Sequence, residues 1–222
     1  GQGGWSGSTS WHIENVNLLS YPTGSNMTAT GNQAAIDGGR PSEAMVTHSF
    51  GPAINFDGVG NTYYVRFLIR KDQTSAGTSE YFFITLEDGS ASKASIGIGS
   101  GENPLLGTNT GTFNVNWGMT IPGNTDYLFV AKILTSAAGN DQYYLKVYGP
   151  SATVPWTEPG AWDVTYATLT TGTADLLRLR AGPLGYYTVD EIRLGTSWAD
   201  VVAVPEPSTL AMLLSQIGRA HV

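Results

Sequence analysis

Cysteine is absent from the chain, which excludes disulfides and thiolate metal sites. Charge is scarce as well: Asp, Glu, Lys and Arg make up 13% of the 222 residues, and the balance is −7 at neutral pH. No basic stripe is therefore available to track a phosphate backbone, and nucleic acid is excluded as an expected partner. Histidine is nearly missing. Outside the C-terminal tail only His12 and His48 occur, and neither has a second histidine at metal-ligand spacing. No long apolar run exists; a spanning helix needs ~20 such residues, and the run Leu210-Ala211-Met212-Leu213-Leu214 stops well short.

Several catalytic patterns are missing too. There is no Gly-x-Ser-x-Gly elbow for a serine hydrolase, and no Glu-x-Asp-x-x-Glu strand of the kind sandwich glucanases use. The stretch GIGSGENP (Gly97 to Pro104) lacks the Lys-Ser/Thr ending of a phosphate loop and reads as a strand end with a turn. Glu87 and Asp88 are adjacent, so they point opposite ways or belong to a turn with Gly89. The chain opens at GQGGWSGSTSW without an initiator Met, a basic n-region or an apolar h-region; a secretory signal is expected to have been removed or to lie upstream.

What the sequence does have is alternation. In TYYVRFLIRKD the residues Tyr63, Val65, Phe67 and Ile69 form one apolar face, and Arg66 and Arg70 lie on the other, as a half-buried strand requires. EYFFITLEDGS, ASIGIGSG, TFNVNW, DYLFVAKIL, QYYLKVYG, DLLRLRAG and YTVDEIRLG follow, short and separated by Gly, Asn, Asp, Ser or Pro. No stretch before residue 200 sustains a helical period over three turns. With 28 glycines, 11 prolines and 11% aromatics, the pattern predicts an all-β fold: a two-sheet antiparallel jelly-roll β-sandwich, followed by a short linker and a truncated anchor helix. Parallel α/β folds would need helical crossovers that are absent.

The C-terminal VPEPSTLAMLL (Val204 to Leu214) resembles the start of the PEP-CTERM sorting signal, carried on Val204, Pro205, Glu206, Pro207 and Ser208. That resemblance implies recognition by an exosortase, transient membrane anchoring by a full-length signal, and export to the outer surface or exopolysaccharide matrix of a Gram-negative bacterium. Ile217 to Val222, IGRAHV, is similar to a translated sequencing adapter and is expected to be an artefact. The remainder resembles the concanavalin A-like (LamG-like) domains that often precede this signal. GGWSG, LLSYP (Leu18 to Pro22), YYVRFLIR (Tyr63 to Arg70), YLFVAKI (Tyr127 to Ile133) and above all VDEIRLGTSWADV (Val189 to Val201) carry that resemblance. It implies a jelly roll at 1–202, a sorting segment at 203–216 and the adapter-like end at 217–222; some relatives bind glycans or calcium.

Two places invite chemistry. The loop GPSATVPWTEPGAWDVTY carries Trp156, Glu158, Trp162 and Asp163, the mixture of stacking aromatic and hydrogen-bonding carboxylate that glycan sites use. The alternative is that the loop anchors itself by burying its own tryptophans. On an uninterrupted strand Asp190 shares parity with Ile192 and Leu194, which aims its carboxylate at the core. There it either accepts hydrogen bonds from loop amides or an arginine such as Arg66, or ligates calcium. Glu191 and Arg193 are expected to form a solvated outer pair, and Trp198 to close the rim of the sandwich. These readings favour a non-catalytic extracellular surface or exopolysaccharide-matrix protein, expected to serve adhesion or matrix structure with weak polysaccharide binding as an added property. A polysaccharide-degrading enzyme and a purely structural matrix domain are the alternatives.

Overall fold

A computed structural model describes residues 6–7, 11–14, 19, 21–22, 33–37, 44–72, 80–109, 112–116, 118–137, 139–183 and 185–202. The sorting-signal residues Val204 to Ser208 and the adapter-like end lie outside the described residues. Among the described residues the chain is all β except for one terminal helical turn. In chain order the strands are β1 (Ser6–Gly7), β2 (Trp11–Glu14), β3 (Gln33–Asp37), β4 (Ala44–Asn55) and β5 (Thr62–Lys71). The middle of the chain supplies β6 (Phe82–Asp88), β7 (Ala91–Ile98), β8 (Pro104–Asn109), β9 (Thr112–Val115) and β10 (Asp126–Leu134). Last come β11 (Asp141–Tyr148), β12 (Val164–Thr168), β13 (Thr173–Ala181), β14 (Tyr186–Gly195) and the helix α1 (Trp198–Val202).

They form two 7-stranded sheets, one ordered β1-β4-β13-β6-β7-β8-β9 and the other β12-β11-β10-β5-β14-β3-β2. Every described pairing is antiparallel. This is the two-sheet sandwich that the alternating pattern predicts. Val65, Phe67 and Ile69 of β5 face the first sheet and meet Phe82, Ile84 and Leu86 of β6 in one apolar cluster. The Phe67 ring stacks on Phe129 at 5.2 Å between centroids. Full burial of each such side chain is worth roughly 1.5–3 kcal/mol before conformational entropy is subtracted. Gly89 and Ser90 make the turn from β6 to β7, with Gly89 at φ 57, the left-handed conformation glycine adopts without a steric penalty.

The outer face of the second sheet departs from the sequence expectation. A half-buried β5 should expose alternate residues, yet Tyr64, Arg66 and Leu68 are all buried. A second apolar layer covers them. Leu19, Tyr21, Val154 from the loop between β11 and β12, and Trp198, Val201 and Val202 of α1 pack against Tyr64, Leu68, Leu128, Val130 and Tyr148. Trp198 therefore seals the outside of the second sheet and not the rim between the sheets.

Glu87 also departs from a simple turn role. Its side chain is buried, 2.8 Å from the Arg178 guanidinium, while Asp88 ends β6 just before the turn, paired with Ala91. Burial raises the Glu87 carboxyl above its ordinary range against the opposing charges of Arg178 and Arg180.

Candidate ligand site on the outer face of the second sheet

Antiparallel register sets one row of side chains across three neighbouring strands. Lys132 on β10 lies opposite Tyr64 on β5 and, on its other side, opposite Tyr144 on β11. A period of two sends all three to the outer face. The Lys132 ammonium stands 6.0 Å from the Tyr64 ring centroid and 5.8 Å from that of Tyr144, within reach of both ring faces.

The loop from residue 149 to 163 folds down onto this row. Asp163 fastens its end: the Lys146 ammonium donates to one carboxylate oxygen at 2.8 Å and the Val147 N–H to the other at 2.8 Å. The Asp163 N–H donates in turn to the Leu145 carbonyl at 2.9 Å. Midway, the Trp198 indole N–H donates to the Pro155 carbonyl at 3.0 Å. Trp162 packs half-buried against Tyr144, 5.5 Å between centroids, and edge-on to Trp198 at 6.3 Å.

Between these fastenings Glu158 reaches the row. Lys132 donates to its Oε1 at 2.6 Å, and the Tyr64 hydroxyl donates to its Oε2 at 2.5 Å. Partial burial pushes the Glu158 carboxyl up, but the hydrogen bonds from Lys132 and Tyr64 and the Lys132 charge outweigh it and hold the group below the usual carboxylate range. Burial raises the Tyr64 phenol far above its ordinary value, and the bond to Glu158 adds to the effect. The result is an ionised Glu158 and a neutral Tyr64 at neutral pH.

Of the four loop residues singled out in the sequence, the structure thus separates two roles. Trp162 and Asp163 anchor the loop. Glu158 joins a polar network with Lys132 and Tyr64, and Trp156, two residues earlier, is 62% exposed. Lys132, Tyr64 and Tyr144 were not marked by motif reasoning. The available signal is that each occupies the outward parity of its strand, in YYVRFLIR, DYLFVAKIL and QYYLKVYG, where an aromatic or a lysine recurs.

Tyr64 also borders a cleft of ≈ 220 Å³ at one end of the sandwich, lined by Phe50, Gly51, Pro52, Ala53, Ile54, Tyr63, Tyr64, Leu194, Gly195 and Thr196. One wall is an irregularity in β4. Leu176 of β13 pairs with Ser49 and Ala174 with Ile54, so residues 50–53 of β4 loop out opposite Asp175 alone. The Asn55 N–H donates to the Tyr63 hydroxyl at 3.2 Å.

Asp190 is placed differently from the uninterrupted-strand reading. It pairs with Leu68, an outer-face residue, because the register of β14 against β5 shifts between Asp190 and Arg193. Val189 before the shift and Ile192 and Leu194 after it all contact the inner cluster. The extra residue reverses the parity, and Asp190 no longer shares a face with Ile192 and Leu194. Glu191 occupies the bulge at φ 52.

Glu191, not Asp190, meets Arg66. Its Oε2 accepts from the Arg66 guanidinium at 3.0 Å, from Arg193 at 3.1 Å and from the Tyr21 hydroxyl at 3.2 Å. The Arg66 side chain is 1% exposed and that of Glu191 7%, so the expected solvated Glu191–Arg193 pair is instead part of a buried network. Arg66 also stacks over the Tyr21 ring at 5.1 Å.

Asp190 accepts the Glu191 N–H at 2.7 Å, and its buried Oδ2 has no hydrogen-bond partner among the described residues. Burial is the main reason its carboxyl rises to about 6; the Glu191 charge raises it further, while the Glu191 N–H bond and Arg66 oppose. Among the described residues no group of three or more His, Asp or Glu side chains could hold a metal ion, and the carboxylate next to Asp190 is taken by two guanidiniums.

No protein-family model matches the chain. No curated protein matches it either. Among solved structures, the binding domain of Paraclostridial mosquitocidal protein 1 is similar at 11% identity over 96% of this chain and 47% of that one, about half its length, with a TM-score of 0.51. An endo-β-1,4-glucuronan lyase from the fungus Trichoderma reesei is similar at 14% identity over 89% of this chain and 96% of that one, with a TM-score of 0.49. A cellulose-induced protein is similar at 14% identity over 85% and 92%, with a TM-score of 0.47. At 11% identity the likeness to the mosquitocidal binding domain is one of fold alone, and one fold hosts many functions.

Proposed function

We propose that this chain is a non-catalytic polysaccharide-binding β-sandwich, and that the ligand lies on the outer face of the second sheet across Trp156, Glu158 and Lys132. The observation that carries the reading is the exposed Trp156 ring held two residues from an ionised carboxylate that is itself locked by Lys132 and Tyr64. A sugar ring offers an apolar face for the indole and equatorial hydroxyls for a fixed acceptor and donor, and rigid placement of those groups spares the entropy of ordering them on binding.

The same geometry argues against glycoside hydrolysis at this place. That reaction needs two carboxyl groups flanking the bond, one with a raised pKa so that it can act as an acid. Glu158 is shifted the opposite way, and Asp163 is tied to Lys146 and the Val147 N–H. The sorting-signal resemblance supports export to a bacterial surface or matrix through an exosortase, which fits a polysaccharide-binding role.

The test is retention of the full chain on a panel of neutral and acidic bacterial, plant and algal polysaccharides, with release of reducing ends assayed in parallel. Retention of the wild type and its loss in Trp156→Ala is the expected result. Release of reducing ends would discard the non-catalytic reading, and retention unchanged in Trp156→Ala would move the ligand elsewhere. For export, cell fractionation in an exosortase-bearing host should differ between the chain extended by a full spanning helix and basic cluster and the same extended chain with Val204 to Ser208 replaced by alanine.

A further inference from the structure

The cleft beside the patch has no place yet in that reading. None of its ten lining residues is ionisable except through the phenols of Tyr63 and Tyr64, and Phe50, Pro52, Ala53, Ile54 and Leu194 make most of it apolar. Its ≈ 220 Å³ is below the ~300–1,000 Å³ that holds a whole drug-sized ligand, so it suits one substituent or part of one ring.

We infer that the cleft receives the acetyl group of an O-acetylated neutral polysaccharide whose sugar hydroxyls lie on the neighbouring Trp156–Glu158–Lys132 patch. This rests on the polysaccharide-binding reading and adds the chemical class of the ligand. Continuity is the first argument. Tyr64 lines the cleft and also donates its hydroxyl proton to Glu158, so one side chain separates the apolar compartment from the polar one.

Charge is the second argument. A uronate carboxylate or an amino group buried in the cleft would lose its hydration without an opposite charge to replace it. On the patch, the Lys132 charge is already matched by Glu158 at 2.6 Å, and the chain as a whole carries −7, which opposes a polyanion at long range. An acetyl ester is uncharged, and its methyl group is the apolar piece such a cleft favours.

A donor for the ester carbonyl is the third argument. The Tyr63 hydroxyl accepts the Asn55 N–H, and among the described residues its own proton is not used, so it can donate to a carbonyl oxygen.

The experiment compares the full chain's affinity for acetylated glucomannan with its affinity for the same glucomannan after alkaline deacetylation, by affinity electrophoresis or calorimetry. The acetylated form is expected to bind about tenfold more tightly, equivalent to about 1.4 kcal/mol. Ala53→Phe, at an exposed position on the cleft wall, should abolish that ratio and leave binding of the deacetylated polymer unchanged. Thr196→Phe fills the cleft from the turn after β14 and should do the same, which guards against a folding defect in the first variant. Equal affinity of the wild type for both polymers overturns the inference while leaving glycan binding at the patch intact. A tenfold ratio surviving in both folded, filled variants also overturns it. Binding to neither polymer, with no retention on any neutral polysaccharide, removes the polysaccharide-binding reading and this inference together.

Discussion

Lys132 and Glu158 come from a central strand and from the loop between β11 and β12, yet their charged atoms meet at 2.6 Å, with side-chain exposures of 19% and 32%. The pair links the sheet to the loop that carries Trp156. A partly exposed pair of this kind contributes at most ~1 kcal/mol to stability, so its consequence is expected in binding. Glu158→Gln should leave the melting temperature within ~4 °C of wild type and weaken retention on a neutral polysaccharide by about tenfold. A large fall in melting temperature with unchanged retention would make Glu158 a structural group.

The two loop tryptophans should separate in the same pair of assays. Trp156→Ala should leave unfolding by urea unchanged and abolish retention, because the ring is exposed. Trp162→Ala removes contacts with Tyr144 and Trp198 and should destabilise by about 3 kcal/mol. If acrylamide quenches the wild type and Trp156→Phe equally, Trp156 is shielded and the division of roles fails.

Asp190 makes stability depend on pH with a definite sign. Its folded pKa of about 6 lies above the ordinary aspartate value of 3.8. Between those values the unfolded chain has lost the proton and the folded chain still holds it, so this group's contribution to stability falls as pH rises from about 4 to about 6. Asp190→Asn keeps an oxygen for the Glu191 N–H and removes the titration. Thermal melts should show the variant above wild type at pH 7.5, with the gap narrowing toward pH 4. A gap that is constant across that range would show that Asp190 does not titrate as described.

Glu191 holds a buried charge network. Glu191→Gln removes the carboxylate that Arg66, Arg193 and Tyr21 share, and should destabilise by about 3 kcal/mol in urea unfolding, since breaking one side of a buried pair leaves the other charge poorly compensated. Wild-type stability in this variant would mean that the network is solvated in solution.

Much of the sandwich is legible from alternation. The inner faces of β5, β6, β10, β13 and the first half of β14 follow their period-two patterns, and the turn at Gly89 follows from glycine's freedom at positive φ. Strands whose pattern is interrupted are not marked in the same way. β4 contains Gly51-Pro52 and four residues that loop out, and β8 opens on Pro104. In the candidate site, the exposed aromatic and the carboxylate were visible in the loop, but the lysine and tyrosines beneath them were not.

The sequence by itself determined an all-β chain with few charges, no cysteine and a Trp-rich loop, because side-chain alternation and turn residues act over neighbouring positions. Tertiary structure decided the rest. Strand register placed Lys132 between Tyr64 and Tyr144, residues 68 and 12 positions away. A single extra residue in β14 turned Asp190 to the opposite face and gave Arg66 to Glu191, and the loop and α1 buried a strand face that alternation alone would leave in water. Pairing between distant segments, and the bulges that shift it by one residue, leave no periodic mark in the local sequence, so only the folded sheet could fix which side chains meet.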